Sequence, residues 1–184
     1  MFHIRKAKLD DAESIAEVHV ESWKSTYSEF INERDLSNIT FEHRRTLWET
    51  ILKMPNIGQI ALVVEQEDGK IVGFISGGQE RTKRFGFDGE IYAVYLYKQY
   101  QRMGLGTMML EAFAKEMKNL GHSSILVWVL TQNPSNRFYI DFGAEKIDQE
   151  QTTIGKGTYQ ETAYGWKEID NLLERFRKPL ANNE

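Results

Sequence analysis

From Phe2 to Lys8 apolar and polar residues alternate, the two-residue period of a half-buried strand. The period then lengthens. Asp10 stands where a helix would be capped, Glu13 follows in capping-box spacing, and Ile15, Val18 and Trp23 come at roughly helical intervals. A second helical stretch covers 33–52, broken near Asn38, with Thr40 as a fresh cap before Leu47, Trp48 and Ile51. Apolar runs at 60–65 and 71–76 flank Glu67-Asp68-Gly69-Lys70 and predict a hairpin. Ile91 to Leu96 predicts a fourth strand. Leu105, Met108, Met109, Ala112, Phe113 and Met117 return to the helical period, and Gly121 is placed to end that helix. Ile125 to Leu130 reads as a fifth strand. The segments 145–154 and 158–166, joined through Gly155-Lys156-Gly157, read as two more, and Asp170 to Lys178 as a short terminal helix. The order is α+β with neither linker nor repeat, so a single domain of residues 1–184 is expected, its core at about 2–168 and its tail helix within 169–184.

Between the fourth strand and the long helix lies Gln101-Arg102-Met103-Gly104-Leu105-Gly106. The first amides of a helix lack internal partners and sit at the positive end of its dipole, and glycines let a ligand approach the backbone. That combination points to a phosphorylated cofactor. A dinucleotide fingerprint would need a third glycine where Met109 stands, and no Gly-Lys-Ser/Thr of an ATP-binding loop occurs anywhere. Downstream, after the fifth strand, comes Asn133-Pro134-Ser135-Asn136-Arg137-Phe138-Tyr139-Ile140-Asp141-Phe142-Gly143-Ala144.

Gln-x-x-Gly-x-Gly followed by Asn-Pro-x-x-x-Phe-Tyr-x-x-x-Gly, each after a strand, resembles the GNAT superfamily of N-acetyltransferases. Ile4-Arg5-Lys6-Ala7 with Asp10-Asp11-Ala12, and Glu161-Thr162-Ala163-Tyr164-Gly165-Trp166, extend the resemblance over most of the chain. It implies a mixed, mostly antiparallel sheet of about seven strands, splayed between the fourth and fifth and flanked by helices. It implies acetyl-CoA as cosubstrate. The loop from Gln101 through Arg102, Met103, Gly104, Leu105 and Gly106 to Thr107 would take the pyrophosphate, and the backbone of Val94, Tyr95 and Leu96 the pantetheine arm. Asn133 and Tyr139 would face the cofactor. Trp23 and Tyr27, in a Trp-x-x-Thr-Tyr pattern, and Trp48 would form one wall of the acceptor site, with Tyr92 and Trp128 around the cleft; plain core packing is the competing reading for all five. A homodimer is implied by family habit.

The chemistry asks for an acid at the departing thiolate and a base for a protonated amine. Tyr139 suits the first role, a phenol near pKa ~10 against a thiol near ~8.5. Outside its motif it would read instead as a core tyrosine beside Phe138. Glu90 opens the fourth strand at a register that matches the general base of the histone-acetyltransferase branch; the competing reading is a strand-edge carboxylate facing water. Phe85 to Gly89 is expected as a mobile loop at the acceptor entrance.

Composition narrows the rest. The chain has 184 residues, a net charge of −4 with dispersed Lys and Arg, and no cysteine. Disulfides, thiolate metal sites and cysteine nucleophiles are excluded, and no concentrated basic footprint for nucleic acid is present. With neither a membrane-length apolar run nor a secretory pattern, a cytoplasmic enzyme is expected. Four histidines lack metal-ligand spacing, and Ser76-Gly77-Gly78 does not form a hydrolase elbow. The expected activity is acetyl transfer from acetyl-CoA to a primary amine of a small molecule, by direct attack in a ternary complex and without a metal. Acetylation of a protein N-terminus or lysine, or non-catalytic sensing of acetyl-CoA, are the alternatives.

Overall fold

The computed structural model of the chain describes residues 1–54 and 58–177; the end of the expected tail helix at Lys178 lies outside them. Seven strands, β1 (Phe2–Lys6), β2 (Ile60–Gln66), β3 (Ile71–Gln79), β4 (Gly89–Leu96), β5 (Ile125–Leu130), β6 (Glu145–Ile154) and β7 (Gly157–Trp166), form one sheet in the order β1-β2-β3-β4-β5-β7-β6. Every neighbouring pair is antiparallel except β4–β5. Among the described residues six α-helices flank it: α1 (Ala12–Tyr27), α2 (Glu33–Leu36), α3 (Phe41–Lys53), α4 (Leu105–Asn119), α5 (Asn136–Asp141) and α6 (Ile169–Arg177).

The periodicity is realised with local shifts. The first strand ends at Lys6, and the acidic residue that organises the helix entrance is Asp11 rather than Asp10. The buried Asp11 carboxylate takes two bonds from Arg5 (2.7 and 2.9 Å) and the Lys8 amide (2.7 Å), and a short 3-10 turn, Leu9–Asp11, leads into α1. Thr40 does cap α3, its hydroxyl accepting from the His43 amide at 3.3 Å. On α4 the buried stripe is Leu105, Met109, Leu110, Phe113, Ala114 and Met117; Met108 instead points outward. Gly121, at φ +90°, closes the helix with its amide on the Lys118 carbonyl and the His122 amide on Met117, the double bond of a Schellman cap.

One face of the sheet packs on α4, α5 and α6 through Ile75, Ile91, Ile125, Val127, Tyr164 and Trp166. The close approach of α4 depends on Gly77, where an added Cβ would lie 2.1 Å from the Glu90 carbonyl and 2.5 Å from the Phe113 ring. The other face packs on α1 and α3 through Val63, Ile71, Phe74 and Trp48. Trp48, 2% exposed, is therefore core.

His19 on α1 joins that second layer. Its Nδ1 accepts from Trp48 Nε1 at 3.2 Å and its ring stacks on Tyr95 at 4.9 Å. Burial, and secondarily the neighbouring Arg44, push its pKa from 6.5 down to about 3. The unfolded chain thus binds a proton the folded chain refuses. Stability is fully present above pH ~6.5 and falls as pH drops, by up to about 1.4 kcal/mol per pH unit until the folded value is reached. Urea unfolding between about pH 7.5 and pH 4.5 should show a His19→Gln variant losing stability less steeply than the native protein, by close to one proton. Parallel slopes would refute the buried neutral histidine.

Candidate active site

The parallel contact between β4 and β5 is short: Gly89, Glu90 and Ile91 pair with Ile125, Leu126 and Val127, and pairing stops there. On the other edge of β4 the register against β3 slips between Ser76 and Gly77, which leaves Tyr92 as an extra residue, a bulge that bends the strand. Beyond it Val94, Tyr95 and Leu96 keep β3 on one side and have no strand on the other, while Trp128 to Leu130 pair only with β7. The two strands therefore open into a V. Backbone groups on the free edge of β4 are available to a ligand lying along it.

At the wide end of the V sits the glycine loop. Gln101 anchors it by donating from Nε2 to the Leu96 carbonyl at 3.2 Å. Arg102 (φ +63°) and Gly104 (φ +80°) are left-handed while Met103 between them is not, the alternation of hands from which an anion nest is built. The first intrahelical bond of α4 runs from the Met108 amide to the Gly104 carbonyl at 3.1 Å, so the Leu105, Gly106 and Thr107 amides precede the helix ladder. Leu105 plants its side chain in the core at 2% exposure, and Met103 is exposed. A Cβ on Gly104 would meet nothing within 4 Å, and one on Gly106 would rest 3.5 Å from Phe138. A side chain at Gly104 would thus meet open space and one at Gly106 would lie against Phe138, and only Gly104 is demanded by its dihedral.

Asn133 and Tyr139 lie on the β5 side of the V, both buried. Asn133 is turned inward: Oδ1 accepts from the Ser135 amide (2.9 Å) and Nδ2 donates to the Tyr27 hydroxyl (3.4 Å). Tyr139, on α5, packs edge-on to Trp166 and nearly parallel to Tyr164, with ring centroids at 6.1 and 6.4 Å. Burial, then the proximity of Tyr27, raises its phenol well above the usual range and keeps it a neutral O–H donor. Tyr27, Ile31, Leu36 and Leu130 form a small apolar cluster with Trp23, Tyr95, Ile154 and Tyr159 against it, bridging the two lips of the V. Trp23 lies 4.6 Å from the Tyr27 ring. Of the expected aromatic wall, Trp23 and Tyr27 thus join Asn133 in one group.

Tyr92 and Glu90 belong to another. Glu90 is no strand-edge carboxylate in water: its side chain is 2% exposed. Arg81, from the β3–β4 loop, grips it with Nη2 on Oε1 at 2.6 Å, Nε on Oε2 at 3.3 Å and the backbone amide on Oε2 at 3.0 Å. The same guanidinium lies 4.3 Å over the Tyr92 ring. Arg81 carried no signal in the sequence, since nothing in a charged loop indicates a partner on the following strand.

That loop is firmly held where a mobile one was expected. Buried Glu80 accepts from the Thr82 amide and hydroxyl and the Lys83 amide. Phe87 is buried against Leu126 and Ala163, and Phe85 leans on Trp128 at 6.0 Å. Asp88 accepts from the amides and hydroxyls of Ser123 and Ser124. Close by, Glu161 on β7 stands directly across from Glu150 of β6. Burial, then Glu150 and Glu90, raise the Glu161 carboxyl above the usual range, with Arg81 opposing.

Among the described residues there is no group of three or more His, Cys, Asp or Glu arranged to hold a metal, and no helix long and apolar enough to cross a membrane.

Comparison with known proteins fits this geometry. Residues 17–144 match the acetyltransferase (GNAT) family. The chain is 35% identical over 172 residues to an uncharacterized N-acetyltransferase of Bacillus subtilis, YuaI, covering 94% of this chain and 96% of that one. It is 29% identical over 134 residues to the spermidine N(1)-acetyltransferase of Thermoplasma acidophilum, 71% of this chain and 79% of the relative. The PaiA N-acetyltransferase of Thermoplasma acidophilum, solved with coenzyme A, shares the fold at a TM-score of 0.72 with 24% identity, covering 90% of this chain and 99% of that one.

Proposed function

Because this chain belongs to the GNAT acetyltransferase family, we propose that it moves the acetyl group of acetyl-CoA onto the primary amine of a small cationic molecule, by direct attack in a ternary complex. The observation that carries this reading is the V between β4 and β5 with a left-handed amide cradle at its mouth. In this reading the diphosphate lies on the amides from Arg102 to Thr107, and the pantetheine arm extends β4 along the free edge of Val94, Tyr95 and Leu96. An amide of that edge polarises the thioester carbonyl.

The steps balance with two side chains. The ammonium gives one proton to the Glu90 carboxylate. Its nitrogen lone pair then forms the C–N bond, and the C–S pair leaves with sulfur. The second amine proton passes to the thiolate, which the Tyr139 hydroxyl receives by hydrogen bonding. Net products are the N-acetyl amine, CoA thiol and one proton released through Glu90. Direct attack needs no acyl-enzyme, and the chain has no cysteine to form a thioester one.

Acidic Glu90, Glu150 and Glu161 beside aromatic Tyr92 suit a cationic acceptor, and the kinship to a spermidine acetyltransferase points the same way. Free-thiol release should therefore be fastest with di- and polyamines, slower with amino acids, and slowest with peptide N-termini or lysine peptides. A peptide outpacing every small amine would replace this acceptor class, and cofactor binding without thiol release would indicate a sensor. The same reading makes the protein a cytoplasmic homodimer; a monomer mass in sedimentation would remove that part.

A further inference from the structure

We propose that Arg81 is a resident occupant of the acceptor's cation seat, and that a cationic amine binds by exchanging with its guanidinium on Glu90 and Tyr92. The inference rests on the reading that the acceptor is a cationic amine and names how that cation is received. A carboxylate facing an aromatic ring is a general receptor for organic cations, and here the protein's own guanidinium already fills it.

Three features make the occupant exchangeable. The Glu90 side chain is 2% exposed while that of Arg81 is 61% exposed, so solvent reaches the cation but not its partner. If the guanidinium swings out, Glu90 still accepts the Arg81 backbone amide, and an arriving ammonium restores the lost countercharge. The loop does not depend on that side chain, since Glu80, Phe87 and Asp88 hold it. The surroundings also favour an incoming positive charge. Arg84 accompanies Glu150 at 2.9 Å, but Glu161, half-buried and across the sheet from Glu150, has no ion pair among the described residues. A diamine would bring one charge for Glu90 and a second for Glu161.

Arg81 is in this sense a specificity-determining residue: it sets a threshold that a neutral ligand cannot cross. The test measures thiol release by the full chain at saturating acetyl-CoA with 1,4-diaminobutane. Arg81→Ala should lower the KM for the diamine by about tenfold or more, with a smaller change in kcat. Arg84→Ala removes the same charge without emptying the seat, and should change KM by less than about threefold. Guanidinium at millimolar concentration, far below denaturing levels, should compete with the diamine in Arg81→Ala and much less in the native protein. An unchanged or higher KM in a normally melting Arg81→Ala, an equal effect of Arg84→Ala, or equal competition by guanidinium would overturn the proposal. Should Arg81→Ala fail to fold, Arg81→Lys, which keeps the charge but loses the planar fork, should move KM in the same direction by less. Should no amine release thiol, the acetylation reading fails separately, and calorimetric titration still decides. Guanidinium binding to the variant and not to the native chain supports exchange; binding to neither overturns it.

Discussion

Replacing Gly104 by valine is expected to weaken acetyl-CoA binding by about 100-fold or more while the sheet and its cores stay intact. The loss has two sources. At φ +80° a β-branched residue is strained by roughly 1–3 kcal/mol, so the loop relaxes and the amides of Arg102 to Thr107 no longer converge. The valine methyls also occupy space beside the cradle, where apart from the neighbouring residues no atom lies within 4 Å of an added Cβ. Gly104→Ala separates these effects, since it carries the dihedral cost with a single methyl and should give an intermediate loss. Calorimetric titration of both variants with CoA, alongside thermal melting, measures them. A valine variant that binds CoA within threefold of the native protein would remove the cradle from the site.

Tyr139→Phe is expected to lower kcat by about 100-fold and leave the affinity for acetyl-CoA nearly unchanged. The ring belongs to the packing around Tyr164 and Trp166, which phenylalanine preserves, so the change isolates the hydroxyl. Burial raises this phenol, which makes it a weaker acid than a free one but keeps its proton at every working pH. It therefore acts chiefly by donating a hydrogen bond to sulfur as negative charge collects there. The same dry surroundings raise a thiol as well, so proton affinities on the two sides shift together. A thioester with a more acidic leaving thiol should recover most of the lost rate in the variant. If the variant is equally slow with both thioesters, the hydroxyl has another role.

Much of this site was legible because its parts are local. A strand, six residues with two glycines and a helical stripe are contiguous, and the Schellman end of α4 follows from one glycine. The opening between β4 and β5 was not legible from periodicity. It depends on a parallel pairing of distant segments and on a bulge at Tyr92, neither of which alters the alternation of apolar residues; the family resemblance alone foretold it. Buried charges were hidden for a related reason. Glu90 and Asp35 are almost wholly buried and made tolerable by donors outside their own elements, Arg81 of the β3–β4 loop and the β6–β7 connection, whereas buried Glu80 is held by its own turn at Thr82 and Lys83. A carboxylate's burial is decided by partners that sequence spacing does not reveal. Asn133 shows a finer limit, since its place beside the cleft was anticipated but its inward tie to Ser135 and Tyr27 was not.

Asp35 carries a mechanical consequence. Its carboxylate receives the Lys156 amide at 2.9 Å and the Tyr159 hydroxyl at 2.7 Å, and that hydroxyl in turn receives the Asn32 amide at 3.0 Å. The segment after α1 is thereby riveted to the far hairpin, beside the cluster that joins Tyr95 and Leu130. A jaw tied across its lips has a fixed gape. Ligands would then be sorted by how well their width suits a standing gap, with side-chain swings such as that of Arg81 supplying the adjustment that a moving lid supplies in other enzymes.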